Sequence, residues 1–231
     1  MILVKKINLL FQTIWINRAS RKSIKKNLEY IFVFPEFKRR LIYHPKNFFF
    51  KPSKRFYDNC EYNTQKAVDE ILRHCGLDNI SVRVTHDPLQ VSKALSTTST
   101  VVNYNIPGTA YQLNNRQYTI YINKNYSPKI IAGILSHEIG HIYILSNDIK
   151  FKTGSSQEKR FEEQMTDLST IALGLGKLMI EGHSYSYYEK GQTYNGIIGY
   201  LTSGILYYAQ ALMELKIEQV NRKIINMSKV S

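Results

Sequence analysis

The segment Lys129–Ser146, KIIAGILSHEIGHIYILS, carries two histidines and a glutamate in the middle of a run that is otherwise almost wholly apolar. Ser127 and Pro128 supply an N-cap and a first-turn proline, and Asn147-Asp148 ends the run, so the pattern predicts a helix. Ile130, Ile131, Ile134, Leu135, Ile139, Ile142 and Ile144 cover several of its faces, and a helix apolar nearly all round belongs at the centre of a domain. The core must therefore form around three ionisable side chains. In His137-Glu138-Ile139-Gly140-His141 the histidines stand at i and i+4, project from one face and can share a zinc ion. Glu138 lies about 100° around the helix from His137, off the metal yet able to reach a water there as a general base. Leaving such groups unpaired in an apolar interior is costly, and joint ligation explains why they are tolerated.

Zinc requires a third protein ligand. A metzincin would continue with glycine at 144 and histidine at 147; Ile144 and Asn147 exclude that class. Beyond the polar loop containing Gly154-Ser155-Ser156, a second helix is expected over 158–180, and it contains Glu162-Glu163-Gln164-Met165-Thr166-Asp167. This segment resembles the N-E-x-x-S-D of thermolysin-like gluzincins, and the resemblance puts Glu163 in the place of the zinc ligand with Asp167 four residues on. Helical geometry is consistent with it. With Phe161, Met165, Leu168, Ala172, Leu175 and Met179 as a core stripe, Glu163, Asp167, Thr170 and Gly174 form a neighbouring polar-to-small stripe. Asp167 would there accept a hydrogen bond from a ligand histidine. Glu162 is the nearest competitor for the ligand role and His183 a remoter one, while acids near a helix N-terminus are common without any metal.

Together HEIGH and EEQMTD make the chain resemble a gluzincin-type zinc metallopeptidase. The layout is similar to that of the compact ImmA/IrrE-like metallopeptidases, in which a short sheet precedes the H-E-x-x-H helix and an acidic helix follows. The resemblance covers roughly residues 57–215. It implies an α+β fold: a zincin-like domain with a small, mostly antiparallel sheet packed on the central H-E-x-x-H helix, and a helical C-terminal region. It also implies Zn2+ held by His137, His141 and Glu163, hydrolysis of peptide bonds in a protein substrate, and, because members cleave helix-turn-helix repressors, a regulatory protein as that substrate. The tetrahedral intermediate of such a reaction needs a second electrophile. His183, Tyr185, Tyr187, Tyr188 and Tyr194, in a Tyr-rich loop expected over 182–194, are the candidates. The strand expected at Arg116–Asn123, just before the site helix, offers an edge to an extended substrate.

Elsewhere the pattern predicts one helix over 57–75 stopped by Gly76, strands at Ile80–Val84 and Val101–Tyr104, turns at IPG and LNN, and a helical region from 196 to 226. On one continuous helix Cys60 and Cys75 would stand roughly 22 Å apart, too far for a disulfide. That favours a reducing, cytoplasmic location. No stretch reaches the roughly 18 apolar residues of a membrane span.

The formal charge of +13 is uneven: residues 1–60 hold 14 basic and 3 acidic residues, the rest 17 and 15. A basic, partly helical segment, 1–56, therefore precedes the metallopeptidase domain at 57–231. Such a segment suits nucleic acid or an anionic membrane, and also an ordinary solvated arm. It supports an alternative class, a binding protein with a non-catalytic zinc site, or a membrane-associated protein anchored through Met1–Ile16.

Overall fold

The computed structural model of the protein describes residues 16–43, 47–87, 107–123, 126–151, 158–189 and 192–227. Residues 1–15, with most of the segment considered as an anchor, and the strand expected at Val101–Tyr104 lie outside them. The described residues form a mostly helical α+β structure in the order α1 (Arg18–Ile31), α2 (Pro35–Tyr43), α3 (Lys54–Tyr62), α4 (Thr64–Cys75), β1 (Ser81–Thr85), β2 (Gly108–Asn114), β3 (Gln117–Ile122), α5 (Pro128–Ser146), α6 (Glu158–Ala172), α7 (Gly176–Glu181), β4 (Ser184–Glu189), β5 (Gln192–Ile197) and α8 (Ser203–Met227). Among these helices none is long and apolar enough to cross a membrane.

Two units can be distinguished. One comprises Lys51–Lys152 and Glu181–Gly199 and contains α3, α4, α5 and all five strands. Here the single helix expected over 57–75 is two. Asn63, at φ −152° and ψ 66°, ends α3, and its side chain accepts the Lys66 N–H to start α4. A helix former on both sides cannot outweigh a residue whose short polar side chain satisfies the orphan donor of a new N-terminus. The premise of the cysteine separation therefore fails, although Cys60 and Cys75 are both buried free thiols. Burial, with the nearby Glu70 carboxylate adding to it, pushes the Cys60 thiol up to about 12.

The sheet of this unit has the order β1-β3-β2, with β1 parallel and β2 antiparallel to β3. Residue partners put Val82, Val84, Tyr118, Ile120 and Ile122 on one face, together with Gly108 and Ala110 of β2. Helix α5 covers that face: a Cβ on Gly108 would collide with Ile134. Within α5 every residue from Ile131 to Gly140 is buried, followed by Ile142, Tyr143 and Ile144, as its all-round apolar composition requires. Strand β2 occupies 108–114, overlapping both segments expected as turns. The Tyr-rich stretch expected as a loop is a hairpin, β4 pairing antiparallel with β5, its alternation of Tyr with Ser, Thr and Asn suiting a strand pair with little to bury.

The other unit comprises residues up to Phe50, Thr153–Ile180 and Tyr200–Ser231, and so contains α1, α2, α6, most of α7 and α8. Ile24, Leu28 and Ile31 of α1, Phe37 and Leu41 of α2, Met165 and Leu168 of α6 and Leu206 and Met213 of α8 are buried in it. The helix expected over 158–180 ends at Ala172 and restarts at Gly176. The break is Gly174, at φ +85°, where a Cβ would strike the Phe48 carbonyl oxygen. Its own carbonyl accepts the Phe50 N–H at 3.0 Å, and the Arg40 guanidinium donates to the Leu173 carbonyl at 3.1 Å.

Two measurements check this account. Replacing Gly174 by Ala adds a left-handed-conformation penalty and a backbone collision, and should lower unfolding free energy by at least about 1–2 kcal/mol, read as a lower urea midpoint. Ellman's reagent should label Cys60 and Cys75 at mildly alkaline pH only when the chain is unfolded, because burial denies access to both and pushes the Cys60 thiol up; fast labelling of the native protein would contradict the burial.

Candidate metal centre

The i, i+4 spacing on α5 does what it should. The Nε2 atoms of His137 and His141 face each other at 3.2 Å, with the rings 4.8 Å apart and near-perpendicular. His137 is buried and His141 half-buried, so one side of the pair is closed by the helix's own neighbours and the other is reachable.

Glu138 points differently, as its position on the helix requires. Its Oε2 accepts the backbone N–H of Ala110 at 2.7 Å, and it is 6% exposed. The sheet register explains why that donor is available. The Asn123 N–H bonds to the Pro107 carbonyl, and antiparallel ladders alternate bonded and non-bonded pairs, so the N–H and C=O groups of residues 108, 110 and 112 point away from β3. Among the described residues β2 is an edge strand, and the edge carries Glu138. Gly108 makes the approach possible: Ile134 and, at 3.7 Å, the Glu138 Oε1 lie where its side chain would be. The strand expected to offer its edge, β3, is instead the central one with both sides paired. The burial that makes it so apolar is the burial of a middle strand.

Glu163 is half-buried on α6, one turn before Asp167. Asp167 is fully buried, and its Oδ2 accepts the backbone N–H groups of Tyr200 and Leu201 at 2.6 and 2.8 Å. Its visible work is thus to pin the chain entering α8. The same α6 face contains Thr166 and Thr170, whose hydroxyls donate to the carbonyls of Glu162 and Thr166; each hydroxyl is satisfied within the helix, so burial carries no unpaired polar group. The phenol of Tyr200 is pushed up by burial, then by the charges of Glu163 and Asp167, and so stays an O–H donor at neutral pH. The Tyr111 phenol in β2 is likewise raised, by burial first and by the Glu138 charge, against an opposing hydrogen bond from Thr109.

His137, His141 and Glu163 form a cluster able to hold a metal ion: one ligand atom of each lies within 4.8 Å of the others. These are the three residues expected as ligands. Glu162, the competitor, is exposed.

The remaining candidates sit at the hairpin. His183 is buried, its carbonyl accepts the Ile198 N–H at 2.7 Å, and the adjacent Gly182 packs backbone-to-backbone on Gly133, one turn of α5 before His137. Tyr185 stacks edge-on with Tyr126 at 5.5 Å. Tyr187 and Tyr188 of β4 pair with Tyr194 and Thr193 of β5. Tyr194 is exposed, and its hydroxyl donates to Gln192. Sequence inspection missed three contributors: the Ala110 N–H, Gly108 and Tyr200. A backbone donor leaves no trace in residue identity, but the Pro107-Gly108 pair ahead of a β pattern was a signal that a strand there approaches something closely.

Comparison with protein-family models, with curated proteins and with solved structures found nothing that matches this chain.

The two hydrogen bonds that Asp167 accepts predict a measurable cost. Asp167→Ala leaves the buried Leu201 N–H and the part-buried Tyr200 N–H without their acceptor and should destabilise the fold by roughly 1–3 kcal/mol, whereas Asp167→Asn keeps an acceptor oxygen and should cost less than half of that in a urea titration.

Proposed function

We propose that the protein is a zinc-dependent metallopeptidase with a zincin-like domain, hydrolysing peptide bonds of a protein substrate. The observation that carries the proposal is the pairing of a ligand cluster with a separately held base: two imidazoles and a carboxylate converge, while Glu138 is kept off them by the Ala110 N–H. The donor set suits zinc. Nitrogens about 2.0–2.1 Å from a tetrahedral zinc lie about 3.3–3.4 Å apart, against 3.2 Å observed. The cluster's 4.8 Å spread is wider by about 1.5 Å, which the torsions of a glutamate span. Two histidines and a glutamate leave a fourth tetrahedral position open, as catalytic sites do.

Zinc bound there supplies Lewis acidity toward a water and toward the scissile carbonyl. The chain supplies the rest. Glu138 takes the proton of the attacking water on a carboxylate oxygen and returns it to the departing amine nitrogen. Ala110 holds that carboxylate in place, so no reorganisation is needed during the reaction. The outward-facing groups at Gly108 and Gln112 on β2 flank Glu138 and give an extended substrate a strand to pair with. We assign the role of donor to the developing oxyanion to His183, whose neighbour Gly182 packs on Gly133 of α5.

Glu138→Gln tests this directly. The amide oxygen can still accept the Ala110 N–H, so the variant should fold and bind about one zinc per chain while losing cleavage by at least about a hundredfold. His141→Ala should lose the metal. Elemental analysis of the purified proteins and terminal-peptide proteomics of cells expressing wild type or Glu138→Gln provide the readouts. A Glu138→Gln protein that cleaves like wild type would falsify the general-base assignment, and a wild-type protein with no affinity for zinc would remove the basis of the activity.

A further inference from the structure

The basic excess of the N-terminal segment is sorted by direction once the helices are in place. On α1 the buried positions Ile24, Leu28 and Ile31 define the inner face, and Arg18, Lys22, Lys25 and Lys26 are exposed opposite to it. On α2, Phe37 and Leu41 point inward, and Lys38 and Arg39 are exposed. Two other cations are turned inward: Arg40 donates to the Leu173 carbonyl and lies over the Phe48 ring, and the Arg21 Nε is buried, with its charge acting on the Tyr208 phenol. Six outward cations thus face two carboxylates, Glu29 and Glu36. Of these Glu29 sits 4.0 Å from Lys25 in a pair whose side chains are both more than 60% exposed, an arrangement worth little in water.

Charge alone would suit any polyanion. The exposed apolar residues on α2 and in the turn that leads into it decide between them. Val33 in the α1–α2 turn is 70% exposed, and Ile42 and Tyr43 at the end of α2 are 46% and 72% exposed. Helical spacing places Ile42 and Tyr43 on either side of Arg39, opposite Phe37 and Leu41. A phosphodiester backbone offers a valine and an isoleucine nothing to bind. The boundary between lipid headgroups and acyl chains accepts both kinds of group: aliphatic side chains and a tyrosine ring enter it, and the cations stay level with the phosphates. Cations near such a surface contribute additively.

We infer that the outer face of α1 and α2 is a docking surface for an anionic phospholipid membrane, reached peripherally. The inference does not depend on the proposed peptidase activity. The apolar residues enter only the interface, and the lysines and arginines give the affinity its dependence on lipid charge and on salt.

The test uses the full chain and vesicle co-sedimentation. Wild type should bind phosphatidylcholine vesicles that contain phosphatidylserine, should fail to bind pure phosphatidylcholine, and should be released by salt. Lys22→Gln with Lys26→Gln should weaken binding roughly 25-fold, and Val33→Asn with Ile42→Asn at least about fivefold. All four side chains are exposed, so unchanged melting temperatures confirm that the fold is intact. Three results would overturn the inference: no binding to the anionic vesicles; equal binding by wild type and both double variants, which would put the contact elsewhere on the chain; or tighter binding to a mixed-sequence DNA duplex that ignores the Val33 and Ile42 changes, which would make the surface a nucleic-acid site.

Discussion

Burying charge-capable groups in an apolar helix is the constraint from which the rest of this structure follows. Helix α5 is buried without interruption from Ile131 to Gly140, with His137 and Glu138 inside that stretch and His141 half-buried at its end. Each must find a partner or impose a desolvation penalty of several kcal/mol. The two imidazoles meet each other, one side open to a third ligand, and the carboxylate meets a backbone N–H. That N–H exists only because β2 is an edge strand with alternate amides facing outward. The position of the sheet, the register of β2 and the glycine at 108 are therefore parts of one solution: a carboxylate kept close to the histidines yet pointed away from them.

The central helix was legible because its signals were redundant: a cap, a proline, an all-round apolar run and a spacing of four between histidines. The third member of the cluster, Glu163, was legible through the resemblance of EEQMTD to a gluzincin segment and its place on a helix of its own. What escaped were features decided by single residues or by backbone. Asn63 splits a long amphipathic pattern because a side-chain cap competes locally with helix continuation, and periodicity sums cannot register that. Gly174 breaks the second long helix through a left-handed turn that the Phe48 backbone fills from outside. The tyrosine-rich stretch from Ser184 to Ile197 pairs with itself, so its strands lack the apolar alternation that betrays a half-buried sheet. For Asp167 the residue was identified but its visible contacts are backbone amides at Tyr200 and Leu201, a partner 33 and 34 positions away that no local pattern announces.

The distribution of charge follows a similar logic. A count of lysines and arginines in the first 60 residues says only that the segment is basic. The helices separate its cations into those turned inward, Arg21 and Arg40, and those left exposed on α1 and α2. The chemistry of a surface depends on what stands beside each charge, and that is a property of the folded helix pair.

The edge that β2 presents among the described residues carries one more consequence. A strand that recruits by backbone pairing can engage only chain whose own amides are unspoken for, and well-folded domains offer few of these outside exposed sheet edges. On the proposed activity, discrimination would begin before any side chain is read: tails, interdomain tethers and transiently melted segments qualify, and compact proteins are spared by their own hydrogen bonding. Such an enzyme would survey its surroundings for conformational looseness, and a target could be exposed or shielded simply by folding or releasing the segment to be cut.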